Sequence, residues 1–533
     1  MSEADHYDVV IVGAGFAGMY MLHRVRGLGL SVRVYEAADG VGGTWYWNRY
    51  PGARCDVESM EYSYGFENEL QQEWEWTERY ARQPEILRYA NYVADRFDLR
   101  RDVQFSARVS SAEFDETTNR WNVDTDTGAV TAQYLITALG MLSSLNRPDI
   151  KGVDAFAGPM YHTGSWPHEE VDFTGRRVAV IGTGSSGIQS IPKIAAQARE
   201  LFVFQRTANY SIPAHNRVLD PEYVAEIKRE YPEFRAANRR QVVAFGARRP
   251  NNDLSVFDVD EAERERVLEE RWAYGGLTFL GAFNDLMLDH DANEVAADFV
   301  RRKIRATVND PAVAELLCPT SSIGCKRLCV DTNYYETYNE EHVTLVDIGT
   351  NPIEEITPTG IRVAGHEYEV DDIVFATGFD AFTGSLLRMN IRGRGGLPLA
   401  DAWEHGPVTY LGLGVASFPN LFVLTGPLSP AALTNVFVSI EHDVEFVADC
   451  IAYLRENDYA TIEATEEAQL EWSMFVNMVA DLTVYPSCDS WYLGSNIPGK
   501  PRVFMTMLGF PIFVERCNDI AAKGYEGFAL SRA

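Results

Sequence analysis

Short apolar runs that stop at a glycine are the strongest pattern in the chain, and they predict buried strands. Residues 7–12 form one such run before Gly13, and residues 178–181 form another before Gly182. Each is too short for a helix, and a continuous apolar run is typical of a parallel strand buried on both faces. A helical segment and a further strand follow each run, at residues 31–35 and 201–205. This alternation predicts an α/β protein with two similar units.

The pattern changes between about residues 215 and 320, where helical features replace strands. Asp220-Pro221 and Asp310-Pro311 are typical helix starts, with aspartate as N-cap and proline in the first helical position. Residues 261–272 are rich in charge, which is most simply a solvated face. Apolar side chains then recur every four residues, at Ala296, Val300, Ile304 and Val308. We predict a helical insertion in the second unit.

Later stretches predict how the chain passes between the units. Residues 134–140 and 370–381 are strand-like runs that break at a glycine, and both would carry the chain from one unit to the other. Residues 418–427 predict another strand. An amphipathic helix that would pack onto the first unit has apolar positions at Ile440, Val444, Val447, Ile451 and Leu454. We expect one domain from residues 1–140 and 381–533, and another from residues 141–380 with its insertion at about 215–320.

Gly13, Gly15 and Gly18 have the spacing of a dinucleotide-binding turn. Glycine permits the tight turn, the approach of the backbone to a pyrophosphate and the packing of helix on strand, and the phosphates lie at the helix N-terminus. Glu36 lies 18 residues after Gly18, at the end of the second predicted strand. A carboxylate there accepts hydrogen bonds from both ribose hydroxyls. This Rossmann-like unit should bind an adenine dinucleotide that lacks a 2′-phosphate.

The second motif, Gly182, Gly184 and Gly187, is followed at nearly the same distance by a base. Arg206 lies 19 residues after Gly187, at the end of its strand. A guanidinium can bind a 2′-phosphate through two hydrogen bonds, so this unit should prefer NADPH to NADH. The plain alternative is a solvated surface arginine. Lys326 would add positive charge to the same phosphate or to the reacting centre.

An aromatic segment, GGTWYWNRYPGARCDVES, follows the first motif at residues 42–59. As a group, Trp45, Tyr46 and Trp47 would line a flavin, although core packing is the simpler interpretation of any one of them. Enzymes that pass electrons from a flavin to a thiol need a cysteine pair in this region, and only Cys55 is present. The thiol route is therefore disfavoured, and a reduced flavin must pass its electrons elsewhere.

Composition excludes several classes of function. The chain of 533 residues is globular in composition, and its net charge of -30 argues against a nucleic-acid surface or a polybasic membrane anchor. The acidic N-terminal segment indicates no signal peptide, and no apolar run approaches a membrane span. The seven cysteines show no CxxC pair or regular disulfide spacing. We expect a cytoplasmic protein with no structural disulfide, no metal site, and neither nucleic acid nor membrane as a partner.

Phe156, Gly158, His162 and Trp166 form the pattern F-x-G-x-x-x-H-x-x-x-W just before the second glycine motif. With the two glycine motifs, this pattern resembles that of single-chain Baeyer-Villiger monooxygenases that use FAD and NADPH. The resemblance spans nearly the whole chain through GGTWYWNRYPGARCDVES, QPEILRY, GTGSSGIQ, LFVFQRTANYSIP, KRLCVDTNYYETYN, ATGFDA, GPLSPAALTN and SWYLGSNIPGKPRVFM. Within the family it is closer to phenylacetone and steroid monooxygenases than to cyclohexanone monooxygenase, because residues 426–435 resemble the longer loop of the former.

The resemblance implies a reaction. NADPH reduces FAD, O2 adds to the flavin as a C4a-peroxide, and this anion attacks a ketone carbonyl. One carbon then migrates to oxygen, and an ester or lactone leaves with water. The resemblance assigns Arg327 to stabilise the anion, because an arginine stays charged at any working pH. Asp56 would orient Arg327 and face the flavin, and Trp491 would close over the nicotinamide.

The same resemblance implies further contacts. Besides the residues named above, those expected to hold FAD or NADPH are Phe16, Gly43, Thr44, Arg54, Tyr62, Val109, Thr183, Ser185, Ser186, Thr207 and Val436. The ketone pocket would be lined by Val57, Met141, Ala432 and Leu433. Met141 replaces a polar amide of phenylacetone monooxygenase, and Ala431 also departs from it. An aliphatic, aromatic, cyclic or steroid ketone is therefore equally compatible with the sequence.

His162 lies on a predicted linker between the units. We therefore expect a structural or gating role for it rather than a catalytic one. Phe156 and Trp166 would be packing anchors of the same linker.

Two other functions fit the same nucleotide motifs. A flavin monooxygenase that oxygenates nitrogen or sulfur shares both units but needs no arginine for an anion, so Arg327 and Asp56 argue against it. A flavin- and NADP-binding redox sensor that never turns over needs no oxygen-activating residues at all. Under the favoured hypothesis, the reactants are a ketone and O2. We expect a monomer or a weak homo-oligomer.

Overall fold

The structure, a computed structural model, describes residues 5–502 and 508–532. The described strands are β1 (Asp5–Val12), β2 (Val32–Tyr35), β3 (Val103–Gln104), β4 (Val109–Asp115), β5 (Arg120–Thr125), β6 (Gly128–Thr137), β7 (Met160–His162), β8 (Arg177–Ile181), β9 (Glu200–Gln205), β10 (Ser211–Pro213), β11 (Cys329–Asp331), β12 (Val343–Asp347), β13 (Ile353–Thr357), β14 (Gly360–Val363), β15 (His366–Glu369), β16 (Asp372–Phe375), β17 (Ile391–Arg392), β18 (Leu421–Val423), β19 (Thr461–Ala464) and β20 (Phe528–Ser531).

The described helices are α1 (Phe16–Gly27), α2 (Thr44–Trp47), α3 (Asn68–Glu73), α4 (Gln83–Arg96), α5 (Ser185–Ala195), α6 (Pro221–Arg229), α7 (Tyr231–Arg239), α8 (Glu261–Tyr274), α9 (His290–Thr307), α10 (Pro311–Leu317), α11 (Tyr334–Thr337), α12 (Gly384–Arg388), α13 (Leu399–Ala402), α14 (Val436–Glu456), α15 (Glu466–Asp481) and α16 (Phe510–Ala522). Residues 503–505 of the SWYLGSNIPGKPRVFM segment lie outside the described residues, as do residues 1–4 of the acidic N-terminal segment.

Eight of the described strands, drawn from both ends of the chain, form one mixed sheet. β1 runs parallel between β2 and β6, and their carboxyl ends are aligned because Val12 lies opposite both Tyr35 and Thr137. The order is β17-β4-β5-β6-β1-β2-β3, and β18 pairs in parallel with β6. Helix α14 packs against α1 on this unit, as predicted. It is buried around most of its circumference, so it is less amphipathic than its apolar spacing indicates.

Five described strands from the middle of the chain form a parallel sheet in the order β12-β9-β8-β16-β7. Ile181, at the end of β8, lies opposite Phe204 and Phe375. Gly182 therefore follows a strand whose neighbours end at the same edge, which is where Rossmann-like sheets bind their ligands. The predicted fold, two Rossmann-like units with a helical insertion in the second, is confirmed.

Helices α6 to α10 form the insertion, between β10 and β11. The carboxylates of Asp220 and Asp310 accept hydrogen bonds from the N–H groups of Glu222 and Ala312, so both are N-caps, as predicted. The apolar positions of α9 are fully buried at Ala296, Val300 and Ile304. The four-residue spacing therefore marks the core face of this helix.

Arg79 joins the insertion to the first unit. Its side chain is 2% exposed and donates to a carboxylate oxygen of Glu58 at 2.7 Å. It also donates to the backbone carbonyls of Ala214 and Tyr274, at 3.2 and 2.7 Å. The hydroxyl of Tyr274 donates to the same oxygen of Glu58 at 2.8 Å. These contacts hold the end of α8 against the loop that carries Asp56.

The expectation of no structural disulfide is wrong. Cys325 and Cys488 are joined by a disulfide, although 163 residues separate them in the sequence. Their pairing depends on two distant segments packing together, so cysteine spacing along the chain carries no sign of it. The other cysteines are free and buried, at Cys55, Cys318, Cys329, Cys450 and Cys517.

Candidate active site

Both glycine turns approach neighbouring backbone so closely that a side chain would clash. Gly13 has φ of +105°, and a Cβ there would lie 2.6 Å from the carbonyl oxygen of Ala138. A Cβ at Gly18 would lie 1.9 Å from the carbonyl oxygen of Gly13. The second turn repeats this geometry. Gly182 has φ of +111°, and a Cβ on Gly187 would lie 2.3 Å from the carbonyl oxygen of Gly182. Helices α1 and α5 thus begin tightly against their strands, which is the arrangement of a phosphate-binding turn.

Glu36 directly follows β2, as predicted. Its carboxylate accepts hydrogen bonds from the N–H groups of Ala14 and Ala38, at 2.7 and 2.8 Å. Burial raises the pKa of Glu36, while these two donors lower it. An ionised carboxylate has about four lone-pair positions, so two are left for the hydroxyls of a ribose. The residues of the first unit fit an adenine dinucleotide.

Aromatic rings line the space between the first glycine turn and α14. The indole N–H of Trp45 donates to the hydroxyl of Tyr62 at 3.0 Å. Tyr62 and Phe16 both pack against Phe437, with ring centroids 4.8 and 4.5 Å away. Val436, which precedes Phe437, begins α14. Four of these aromatic side chains are buried and therefore pack in the protein core: Trp45, Tyr46, Tyr62 and Phe16. A contact with a flavin would be an additional role.

Other predicted contacts of the first unit lie around the same turn. The Cα of Gly43 lies 3.5 Å from the position of a Cβ on Gly15, and Thr44 then begins α2. The N–H of Ala107 donates to the carbonyl of Glu36, which places Val109, at the start of β4, close behind it. Sequence positions that are far apart thus converge at one edge of the sheet.

Arg54 contacts the second unit through its backbone and the first through its side chain. The guanidinium donates to Glu78 at 3.3 Å and to the carbonyl of Tyr80 at 3.4 Å. The backbone N–H donates to Gln189 of α5 at 3.3 Å, and the hydroxyl of Tyr50 donates to the same amide oxygen at 2.8 Å. The loop before Asp56 is therefore seated on the helix that follows the second glycine turn.

Asp56 and Arg327 form a two-pronged ion pair between the units. Both donor-acceptor distances are 3.0 Å, from Nε to Oδ2 and from Nη2 to Oδ1. The remaining Nη1 donates to the carbonyl of Ala432 at 2.9 Å. Burial alone would lower the pKa of Arg327, but the carboxylate of Asp56 and the phenol of Tyr492 hold it well above its usual value. The guanidinium is thus a fixed, permanent cation.

Three of the four predicted pocket residues lie together beside this cation. Met141, Ala432 and Leu433 belong to one apolar cluster with Trp491. The indole of Trp491 stacks on Phe382, with ring centroids 5.8 Å apart and planes inclined by 23°. Val57 lies outside this cluster, in the hydrophobic core of the first unit, and lines a small cavity together with Asp56.

Residues of the insertion that were not predicted from the sequence face Asp56 and Val57. A small cavity next to these two residues is also lined by Tyr223, Phe245 and Leu277. These three come from separate parts of the insertion and belong to no motif, so only packing brings them to the site. Tyr492, buried beside Arg327, was missed although it directly follows Trp491.

Arg206 and Lys326 are the basic residues of the second unit that could receive a phosphate. Arg206 is exposed immediately after β9. Burial lowers the pKa of Lys326, the nearby charge of Arg206 lowers it further, and Asp489 opposes the shift. Neither cation forms an ion pair within residues 5–502 and 508–532. Two adjacent cations without a paired carboxylate fit a 2′-phosphate, whose negative charge would raise the pKa of the lysine again.

The rest of the second turn is open to a ligand. A Cβ on Gly184 would meet no atom within 4 Å, and Ser185 and Ser186 then begin α5. The hydroxyl of Thr183 donates to the carbonyl of Thr207 at 3.1 Å, which ties the turn to the end of β9. The N–H groups at the start of α5 therefore face the space next to Arg206, as a bound pyrophosphate requires.

His162 lies against both of the chain segments that run between the two units. Its Nδ1 accepts a hydrogen bond from the N–H of Gly164 at 3.0 Å, so the ring is neutral and the proton is on Nε2. Nε2 lies 3.3 Å from the carbonyl of Asn146, to which the hydroxyl of Thr377 also donates at 2.6 Å. Burial lowers the pKa of His162 and favours the same neutral state. The imidazole thus holds residues 146 and 377 together and does not face the Asp56–Arg327 pair through any described hydrogen bond.

The other residues of the F-x-G-x-x-x-H-x-x-x-W pattern pack in the second unit. Phe156 and Trp166 are buried, and the N–H of Trp166 donates to the carbonyl of Trp47 in α2 at 3.3 Å. A Cβ on Gly158 would lie 2.3 Å from the carbonyl oxygen of Asp371, so the chain can pass there only with glycine. The spacing of the pattern therefore reflects how the linker fits against both units.

The whole chain is similar to known monooxygenases. A family model described as pyridine nucleotide-disulphide oxidoreductase matches residues 10–257. A Baeyer-Villiger monooxygenase of Pseudooceanicola batsensis is 44% identical over 99% of this chain and 96% of its own length. A phenazine N-monooxygenase of Lysobacter antibioticus is 42% identical over 99% of this chain and 98% of its own length.

Solved structures agree. An oxidised steroid monooxygenase bound to NADP has a TM-score of 0.94 and 52% identity, covering 99% of this chain and all of its own. A closed cyclohexanone monooxygenase has a TM-score of 0.97 and 43% identity, with both chains fully covered. The higher identity to the steroid enzyme agrees with the resemblance of residues 426–435. The two glycine turns, the ion pair between the units and these full-length similarities show that the chain belongs to the Baeyer-Villiger monooxygenase family.

Proposed function

We propose that this chain is an FAD- and NADPH-dependent enzyme that inserts one atom of O2 next to a ketone carbonyl to give an ester or a lactone. The observation that carries the proposal is the Asp56–Arg327 ion pair, which fixes a cation where the two nucleotide units meet. A structure that only bound nucleotides would need no charge at that position.

The first unit would hold FAD and the second NADPH. Glu36 would accept the ribose hydroxyls of FAD, and the N–H groups at the start of α1 would bind its pyrophosphate. Arg206 and Lys326 would bind the 2′-phosphate of NADPH. When bound, these two groups would supply the hydride, the two-electron chemistry and the reaction with O2, for which the protein has no side chain.

Arg327 would stabilise the negative charge that develops on the carbonyl oxygen of the ketone. Its pKa lies well above the usual value, so it cannot lose its proton to the reacting atoms. Asp56 accepts hydrogen bonds from Nε and Nη2 of the guanidinium, and the carbonyl of Ala432 accepts one from Nη1. The cation is therefore oriented before the substrate arrives, which is the condition for electrostatic stabilisation of a transition state.

The apolar cluster around Trp491 would exclude water from the same place. Met141, Leu433 and Phe382 surround the indole and contribute no charged group. A dry site strengthens the interaction between Arg327 and a developing anion, and it limits side reactions with water. We infer that these side chains, with Val57, also select among ketones by shape.

Oxygenation of nitrogen is a second candidate function, because the phenazine N-monooxygenase is similar over the same length of chain. That chemistry has no carbonyl oxygen to stabilise. The test is Arg327→Ala in the purified holoenzyme, assayed with a panel of ketones, sulfides and amines by product mass. We expect ketone oxygenation to fall by about 100-fold or more, as for the loss of a transition-state donor, while sulfide and amine oxygenation is largely kept.

Two outcomes would reject the proposal. One is a wild-type protein that oxidises NADPH but adds oxygen to no ketone, which would favour the sensor or the nitrogen-oxygenating function. The other is an Arg327→Ala variant with unchanged ketone oxygenation. Arg327→Lys is the matched comparison, because it keeps the charge but loses the two-pronged geometry, and it should retain intermediate activity.

Several further properties belong to the same proposal. We infer domain boundaries near residues 140 and 380, where the chain crosses between the sheets. We also infer a cytoplasmic enzyme that acts as a monomer or a weak homo-oligomer. No helix within residues 5–502 and 508–532 is long and apolar enough to cross a membrane.

A further inference from the structure

The Cys325–Cys488 disulfide joins the two segments that the proposed function assigns to NADPH. Cys325 immediately precedes Lys326 and Arg327, and Cys488 lies three residues before Trp491. The bond therefore links the basic residues of the coenzyme site to the segment whose indole would close over the nicotinamide. No other free or paired cysteine among the described residues lies on that segment.

Residues 484–500, here called the covering segment, are attached to the insertion at one end. The N–H of Val484 donates to the carbonyl of Met287 at 3.0 Å. The hydroxyl of Ser487 donates to the hydroxyl of Ser322 at 3.1 Å. Both contacts are neutral hydrogen bonds, which are individually weak, and the side chain of Val484 is fully buried. The disulfide adds a covalent attachment to these noncovalent contacts.

At its other end the covering segment is attached to the linker between the units. The amide of Asn496 donates to the carbonyl of Phe379 at 2.8 Å. The ammonium of Lys500 pairs with Asp380 at 2.6 Å. The segment therefore spans from the insertion to the linker, with Trp491 between its two ends. Any motion that releases Trp491 must loosen one of these ends.

The two cysteines differ in exposure. Cys325 is fully buried, whereas Cys488 is partly exposed and lies between the exposed residues Ser487 and Asp489. We therefore expect an external thiolate to attack Cys488, the more exposed of the two, so that Cys325 leaves as the thiolate. In a reducing compartment, an accessible disulfide is typically one that forms and breaks with the redox conditions.

We propose that Cys325 and Cys488 are a redox site that sets how tightly the covering segment retains NADP(H). This proposal rests on the proposed function, because it needs NADPH at Arg206, Lys326 and Trp491. Oxidation removes two electrons and two protons from the two thiols, and hydrogen peroxide accepts them to give two molecules of water. Reduction by a dithiol breaks the sulfur-sulfur bond, leaves two thiols and converts the dithiol to its own disulfide.

The physical reason is conformational entropy. With the bond formed, the covering segment is anchored at both ends and has few alternatives to lying over the coenzyme. Without it, the end near Cys488 is held only by noncovalent contacts, namely the packing of Val484 and two neutral hydrogen bonds, and it gains freedom when it opens. The oxidised protein should therefore release the coenzyme less readily. By linkage, bound NADP+ should make the disulfide harder to reduce by the same factor.

The test compares one holoenzyme preparation in its oxidised and reduced forms. One portion is treated with dithiothreitol and desalted, and alkylation with peptide mass spectrometry establishes the state of both cysteines. The dissociation constant for NADP+ is then measured by calorimetry. We expect it to rise by about fivefold or more on reduction, to return after treatment with hydrogen peroxide, and to be accompanied by faster alkylation of Cys488 in the absence of NADP+.

Variants separate this effect from general damage. Cys488→Ser and Cys325→Ser should bind NADP+ like the reduced wild type, whether or not dithiothreitol is added. Cys450→Ala, which removes a free thiol of α14, should respond like the wild type. The proposal is overturned if cleavage of the bond changes the dissociation constant by less than about twofold, or if the two cysteines stay as free thiols after peroxide treatment. Failure of NADP+ to bind in either form would instead reject the proposed function.

Discussion

Arg206 and Lys326 differ from most cations of this chain. The protein has 77 acidic and 47 basic residues, so carboxylates are abundant. Nevertheless, within the described residues neither of these two forms an ion pair, and the pKa of Lys326 is lowered by burial and by the charge of Arg206. Keeping two unpaired cations together is unfavourable in the free protein, so their best explanation is an anion supplied by a ligand.

Arg206→Ala should change coenzyme preference. We expect kcat/KM for NADPH to fall by about 10- to 100-fold, because one or two charge-assisted hydrogen bonds to the 2′-phosphate are lost. The value for NADH, which lacks that phosphate, should change little. Steady-state kinetics with both coenzymes checks this. The matched control is Arg199→Ala, which removes an arginine that is 58% exposed at the start of the same strand. Equal losses with the two coenzymes would contradict the assignment.

Helix α14 shows how one element carries both core packing and a buried charge. Asp443 is fully buried, and one of its oxygens accepts a hydrogen bond from the N–H of Thr425 at 3.0 Å. The other oxygen has no hydrogen-bond partner among the described residues. Burial raises the pKa of Asp443 to about 7. At pH values between the pKa of the unfolded chain and that of the folded protein, the folded protein therefore holds a proton here that the unfolded chain has already lost.

Asp443→Asn should stabilise the protein in a pH-dependent way. The folded pKa is raised, so the stability contributed by this group is present at low pH and is lost as pH rises through about 7. Asparagine keeps an acceptor for Thr425 and has no charge to bury. We expect the advantage of the variant in free energy of unfolding to grow by about 2 to 3 kcal/mol between pH 5 and pH 8, as measured by chemical denaturation.

Asp449→Asn, on the same helix, is the control for that experiment. Its side chain is 70% exposed and pairs with Arg24 at 3.2 Å. A surface ion pair contributes at most about 1 kcal/mol, so this variant should show little change at either pH. If the advantage of Asp443→Asn were the same at both pH values, Asp443 would be ionised throughout this range, and burial would not raise its pKa as expected.

The assembly of the whole molecule depends on a few buried polar contacts between the insertion and the first unit. Arg79 is the main one, because it neutralises Glu58 and satisfies two carbonyls of the insertion at once. Glu58 is two residues after Asp56, so the same contacts hold the loop that orients Arg327. Stability and the geometry of the site are therefore linked through one side chain.

Arg79→Ala should lower the free energy of unfolding by about 3 to 5 kcal/mol, since it strands Glu58 and two buried carbonyls. Chemical denaturation of the holoenzyme measures this loss. Arg82→Ala is the matched control, because Arg82 also pairs with a glutamate but is 63% exposed, and its loss should change stability by less than about 1 kcal/mol. A similar small change in both variants would show that Arg79 does not hold the insertion in place.

Local patterns were sufficient for the elements and for the two nucleotide turns. An apolar run ending in glycine, an acid or a base at the end of the next strand, and an Asp-Pro pair each act over a few residues, and the strands and N-caps lie close to where these patterns predict them. The pairing of Asp56 with Arg327 was available only through the family resemblance, because the two are 271 positions apart.

Other features depended on packing between distant segments. The disulfide joins residues 163 positions apart, and the cavity beside Asp56 is completed by Tyr223, Phe245 and Leu277 of the insertion. No periodicity or spacing in the sequence indicates such contacts, because the pattern around each residue reflects only its neighbours along the chain. Secondary structure and phosphate-binding turns arise from neighbours along the chain, whereas a covalent link and a cavity wall require three-dimensional proximity, which only the folded molecule provides.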